Sequence, residues 1–221
     1  MSTKEILTEL KSLGNEKTFA QNIKAGASEK QFGVKLGDIR KIAKKIKLNH
    51  KLALELWKTE NIDARMLSTL IINPTELTYN EMDTITKTTN FVRVADWLNS
   101  YVIKYHPDSE KLRIEWLKSN NPMAARAGWN LTCIRVKKPN CELNLSEILN
   151  YLENNMKNAP SESQWTMNFT LVEIGINHPK YRKRVLEIGE KLGVYRDYPT
   201  SKGCTSPFAP IWVQEMVRRQ K

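Results

Sequence analysis

The 221-residue chain lacks most of what signals membrane insertion, disulfide scaffolding or nucleotide chemistry. No apolar run approaches the roughly 20 residues that cross a bilayer. The N-terminus, Met1-Ser-Thr-Lys-Glu-Ile-Leu, enters an amphipathic pattern at once, with no apolar leader core. Only Cys133, Cys141 and Cys204 are present, an odd number at no metal-ligand spacing, which argues against a disulfide framework. The expected location is the cytoplasm. There is no P-loop, no Gly-x-Gly-x-x-Gly, no His-Glu-x-x-His and no Cys-x-x-Cys. The three histidines sit beside helix boundaries, two of them before proline, where capping is their simplest role. No metal, nucleotide or other cofactor is expected. An alternating strand pattern of useful length is also missing.

Positive charge is what the chain has in excess. The formal net charge is +11, and it is unevenly placed. Residues 1–60 hold 13 Lys/Arg against 7 Asp/Glu, and residues 176–221 hold 10 against 4, while 61–175 hold 12 against 13. Two basic flanks around a neutral middle suit a polyanion such as a nucleic-acid backbone. An anionic membrane is the competing partner, but no helix pairs a basic face with the exposed bulky apolar face of an interfacial anchor.

Helical periodicity covers almost everything else. The pattern predicts helices over 3–13, 16–26, 38–47, 50–59, 62–72, 78–88, 91–105, 108–119, 122–136, 146–157, 161–177 and 179–192. Asn73-Pro74, His106-Pro107, Asn121-Pro122, Ala159-Pro160 and His178-Pro179 mark boundaries, because proline at a helix start sacrifices no hydrogen bond. A weak repeat joins Leu56-Trp-Lys-Thr-Glu-Asn61 to Trp116-Leu-Lys-Ser-Asn-Asn121, each leading into a helix with an Ala-Arg pair. Recurrence near 40 residues predicts an all-α fold, a HEAT-like α-solenoid formed by a curved array of antiparallel helix pairs. A non-repetitive bundle is the alternative. Residues 196–221 leave the pattern: turn-rich and aromatic, they are expected to dock on a 1–195 body through Tyr198, Phe208 and Trp212.

Three constellations carry chemistry. The run Gln31-Phe-Gly-Val-Lys-Leu-Gly-Asp-Ile-Arg-Lys-Ile-Ala-Lys-Lys-Ile46 gives a turn at Gly33 and an Asp38 N-cap. Its helix sets Ile39, Ile42, Ala43 and Ile46 on one face and Arg40, Lys41, Lys44, Lys45 and Lys47 on the other. In Phe91-Val-Arg-Val-Ala-Asp-Trp97, an aspartate inside an apolar helix needs a partner or a purpose, and Arg93 shares its face. In Ala124-Ala-Arg-Ala-Gly-Trp129, small residues let another surface approach Arg126, which suits phosphate or carboxylate; a salt bridge between repeats is the other reading. Trp57, Trp116 and Trp129 fall at core spacing.

The run Phe32–Lys41, the segment Asp63-Ala-Arg-Met-Leu-Ser-Thr-Leu-Ile-Ile-Asn-Pro74 and Asp96 in its helix together resemble the DNA alkylation repair family, the AlkD-like HEAT-repeat DNA glycosylases. The resemblance spans most of 1–195. It implies a helical body that holds duplex DNA and releases cationic N3- or N7-alkylated purines with no metal or cofactor. Asp96 matches the family's charge-stabilising aspartate and Arg126 its backbone-holding arginine. Where the family has aromatic residues, this chain has Val92, four residues before Asp96, Phe169 in the late helix and Asn22 near the start; Lys35 stands at a family glutamine. The expected DNA contacts are Arg126, Lys35, Arg40, Lys44, Lys45, Arg93, Trp97 and Phe169, with Asp96 catalytic if the chain is an enzyme. The expected partner is double-stranded DNA, alkylated or otherwise distorted, bound by a monomer. A non-catalytic binder of damaged or branched DNA and a protein-binding HEAT scaffold are the alternatives.

Overall fold

Helices and short turns account for the fold in the computed structural model, which describes residues 1–138 and 140–220. Thirteen α-helices and three short 3-10 turns are present, with no strand among the described residues, so the expected all-α class holds. The chain divides into two compact units, residues 1–112 and 113–221.

The first unit contains α1 (Thr3–Ser12), α2 (Glu16–Lys24), α3 (Leu36–Ile46), α4 (His50–Lys58), α5 (Ile62–Ile71), α6 (Tyr79–Lys87) and α7 (Val92–Tyr101). Its starts are written locally. Ser2 with Glu5 and Thr78 with Glu81 form capping boxes, and the Asn15, Asn49 and Asn61 side chains each accept from an amide inside the helix they open. The centre is α5, buried on almost every side and packed against α3, α4 and α7. Ser68 donates to the Ala53 carbonyl at 2.8 Å, and the Ile62 amide donates to the Lys30 carbonyl at 2.9 Å.

The division falls inside α8 (Ser109–Trp116). The second unit continues with α9 (Pro122–Val136), α10 (Leu145–Asn155), α11 (Ser161–Asn177), α12 (Pro179–Leu192) and α13 (Ala209–Arg219). Here α9 and α11 are the central pair; Thr170 of α11 donates to the Trp129 carbonyl at 3.1 Å. Gly128 permits a close approach, since a Cβ there would stand 2.8 Å from the Leu117 amide nitrogen and the Trp116 carbonyl carbon. Trp57, Trp116 and Trp129 are core residues, as their spacing predicts. Helix α13 packs on α11 and α12, with Val213 fully buried.

Three local expectations are corrected. Helix α3 starts at Leu36 with Lys35 as its N-cap residue, not at Asp38; the Asp38 carboxylate accepts from Lys41 Nζ at 2.9 Å instead. The expected 91–105 helix stops at Tyr101, because Val102 turns to φ −125° and ψ −67° before a 3-10 turn at Ile103–Tyr105. Helix α13 lies where only an ordered extension was expected.

Candidate nucleic-acid interface

In the first unit the site grows from Asp63. Its carboxylate, 1% exposed, accepts from three consecutive amides: Phe32 at 2.6 Å, Gly33 at 3.2 Å and Val34 at 3.0 Å. The turn is thereby pinned to α5. Gly33 is required there twice over, by its φ of +72° and because a Cβ would meet the Phe19 nitrogen at 2.6 Å. Burial pushes the Asp63 carboxyl up from the usual range, while the three amides pull it down. The pinned turn launches α3 in a fixed direction.

Helix α3 buries Ile39, Ile42 and Ala43 and leaves Lys35, Arg40, Lys41, Lys44, Lys45 and Lys47 exposed. Two of these cations are engaged, Lys41 with Asp38 at 2.9 Å and Lys45 with Glu9 at 3.1 Å. Lys35, Arg40, Lys44 and Lys47 have no ion pair among the described residues. Arg40 and Lys44, four residues apart, share one exposed face of α3, and Lys47 follows Lys44 as the residue that ends the helix. The Arg40 guanidinium lies over the indole of Trp97, 4.7 Å from the ring centroid.

Trp97 therefore sits differently from an open stacking surface. It is buried, with Arg40 on its face and Tyr101 edge-on at 5.4 Å. Asp96, the preceding residue of α7, is half-buried, as is Val92 one turn earlier. Arg93 donates from Nη1 to Asn22 Oδ1 at 2.5 Å, and Asn22 Nδ2 donates to Gln31 Oε1 at 2.7 Å. Asn22, standing where the family pattern has an aromatic, is thus a buried polar link between α2, the turn and α7.

In the second unit Arg126 is 6% exposed and donates from Nη1 to the Glu162 carbonyl at 2.7 Å, tying α9 to the first turn of α11. Phe169 is half-buried, 5.5 Å from Trp165 and 4.7 Å from Trp212, centroid to centroid. Trp165 also meets Tyr195 at 5.2 Å and Tyr198 at 5.7 Å. Tyr195 holds φ at +61°, sparsely occupied by side chains of its size. Burial pushes its phenol up to about 12, and the Arg126 charge pulls it down. The sequence pointed to Tyr198 and Trp212 as docking residues but not to Trp165 and Tyr195, which join their cluster only in the folded chain. Sequence reasoning missed the Asp63 clamp too, although Asp63 opened a motif carrying the resemblance.

Among the described residues, no group of three or more His, Cys, Asp or Glu is arranged to hold a metal ion. No described helix is long and apolar enough to cross a membrane.

Comparison with known proteins gives a consistent picture. The family model described as DNA alkylation repair enzyme matches residues 6–208. The uncharacterized protein Lmo0209 of Listeria monocytogenes is 24% identical over 221 residues, covering 97% of this chain and 96% of that protein. Lin0241 of Listeria innocua, also uncharacterized, is 23% identical over 219 residues, covering 96% of each. A solved structure described as "a new family of proteins related to the HEAT-like repeat DNA glycosylases with affinity for branched DNA structures" matches with a TM-score of 0.83 at 27% identity, covering 100% of this chain and 95% of that one. The HEAT-like repeat fold expected from the sequence is the one this match shows.

Proposed function

The chain belongs to the DNA alkylation repair enzyme family, and from that premise we propose that it binds branched or otherwise distorted double-stranded DNA through the exposed cationic stripe of α3. The observation that carries this reading is the state of that stripe. Lys35, Arg40, Lys44 and Lys47 form no ion pair with a carboxylate among the described residues, and Arg40 is oriented by Trp97. A guanidinium already seated on an indole neutralises phosphate at a smaller ordering cost than a free side chain, and its unpaired neighbours need leave no carboxylate to join it. Lys45 and Arg93 contribute to the same field, and Lys45 exchanges its Glu9 contact for phosphate. Arg126 is the backbone contact of the second unit once it leaves the Glu162 carbonyl, with Tyr195 of the Phe169 aromatic cluster within its field.

The preference for branched over regular duplex is supported by the affinity described for the structural relative and by Val92, which offers no ring for stacking on a lesion. Asp96 favours a second reading, base release from cationic alkylpurines. A placed carboxylate stabilises positive charge developing on the sugar, and such a base already leaves readily. With aromatic support reduced, release of 3-methyladenine and 7-methylguanine is expected to be weak or absent while DNA binding persists. One pair of assays decides between the readings: affinity for a four-way junction against the matching duplex, and base release from methylated duplex with Asp96→Asn alongside. Tighter junction binding without release supports the binder. Release abolished by Asp96→Asn supports the enzyme. Failure to bind any DNA contradicts both and leaves a protein scaffold.

A further inference from the structure

A groove of about 520 Å³ opens in the first unit, walled by α4 and α6, and the α3 stripe takes no part in it. Its apolar lining comes from Leu54, Trp57 and Ile85; Thr84 and Thr88 stand exposed at the rim. Arg65, from the first turn of α5, reaches into it. This arginine is 6% exposed, and the cost of burying a cation is large unless an anion or a full set of acceptors compensates it.

Few protein atoms compensate Arg65, and its Nη groups are left open to solvent at the groove. Nε donates to the Trp57 carbonyl at a long 3.3 Å, and the guanidinium carbon lies 5.1 Å from the Trp57 ring centroid. Neither Nη makes a hydrogen bond, and no carboxylate forms an ion pair with Arg65, among the described residues. Glu60 contributes to the field at Arg65, but its carboxylate is held by Lys30 at 2.7 Å. Burial accordingly pulls the Arg65 pKa below its ordinary value.

We propose that this groove is a binding site for a small organic acid, one carboxylate on an apolar body, whose carboxylate pairs with both Arg65 Nη atoms while its body lies on Leu54, Trp57 and Ile85. Guanidinium and carboxylate match as a two-pronged pair, and the volume is that of a site for a ligand of modest size. The same lining disfavours a DNA backbone. A run of hydrated phosphates would find only Arg65 and Lys58 to neutralise it here, and an apolar floor gives it little in return for its water.

Calorimetric titration of the full chain with 4-phenylbutyrate, 4-phenylbutan-1-ol and inorganic phosphate tests the proposal. The acid should bind at least about tenfold more tightly than the alcohol, the ratio expected for one charge-assisted pair, and phosphate should not bind. Arg65→Met should erase the difference between acid and alcohol. Thr84→Trp, an exposed rim change that fills the groove and spares Arg65, should abolish binding of both and keeps the test open if Arg65→Met does not fold. No binding of the acid, equal binding of acid and alcohol, or acid binding unaffected by Thr84→Trp would overturn the assignment and leave Arg65 as a strut for the end of α4. Binding of a free-carboxylate peptide in place of the small acid would overturn it in favour of protein docking.

Discussion

The Arg40 guanidinium lies 4.7 Å from the centroid of the Trp97 ring, so a cation of α3 is oriented by the residue that follows Asp96 in α7. The indole is buried and serves as the seat of the cation. Trp97→Ala should therefore do two things. Loss of a buried indole costs about 3–5 kcal/mol in urea unfolding. DNA affinity should also fall with no change in net charge. Arg40→Lys, which keeps the charge and loses the planar stack, should weaken DNA binding with little effect on stability. A Trp97→Ala protein that is folded and binds DNA like the wild type would show that the stack does not matter.

Asp63 holds three consecutive amides, and Asp63→Ala strands all of them. At about 1–3 kcal/mol per buried unsatisfied group, a loss of roughly 3 kcal/mol or more is expected, measured by urea unfolding. DNA affinity at temperatures where the variant is folded should fall as well, because the turn that aims α3 is released. A melting curve matching the wild type would contradict the clamp.

Much of this was legible in the sequence, and the misses have physical reasons. Proline and asparagine mark most helix starts, and the apolar and cationic faces of α3 are readable from spacing alone. The start of α3 was misplaced because an aspartate near a helix start has two outlets, an amide or a nearby lysine, and Asp38 takes Lys41. Helix α13 does carry helical spacing in Val213, Met216 and Val217, but a loop rich in turn residues precedes it. The Arg93–Asn22 contact joins residues 71 apart, and the Asp63 clamp spans about 30. Only the folded chain brings those pairs together, which is why the amphipathic helix was found and its supports were not.

Cysteine reactivity should separate cleanly. Burial pushes the Cys133 thiol up to about 12, so at pH 8 roughly one molecule in ten thousand carries the reactive thiolate. Cys204 is exposed and Cys141 intermediate. Iodoacetamide followed by mass spectrometry should label Cys204 first and Cys133 only on unfolding. Equal labelling of Cys133 and Cys204 in the folded protein would contradict the burial.

Gly128→Ala tests the α9 packing. Alanine improves intrinsic helix propensity by about 1 kcal/mol. Its Cβ, however, would stand 2.8 Å from backbone atoms of Trp116 and Leu117, which cannot swing aside as a flexible side chain can. Overpacking of this kind costs about 1–3 kcal/mol, so net destabilisation is expected. A thermally stabilised variant would mean that the chain at 116–117 yields easily.

The salt dependence of junction binding bears on the central claim most directly. Affinity should fall along a straight log–log line, with a slope of roughly −0.9 for each phosphate neutralised in duplex arms. Changing Arg40 and Lys44 together to glutamine should flatten that slope by about one to two units, whereas the same change at Lys183 and Lys191 of α12 should leave it nearly unaltered. An unchanged slope after loss of Arg40 and Lys44, or binding that ignores salt altogether, would contradict the assignment of α3 as the DNA-binding face.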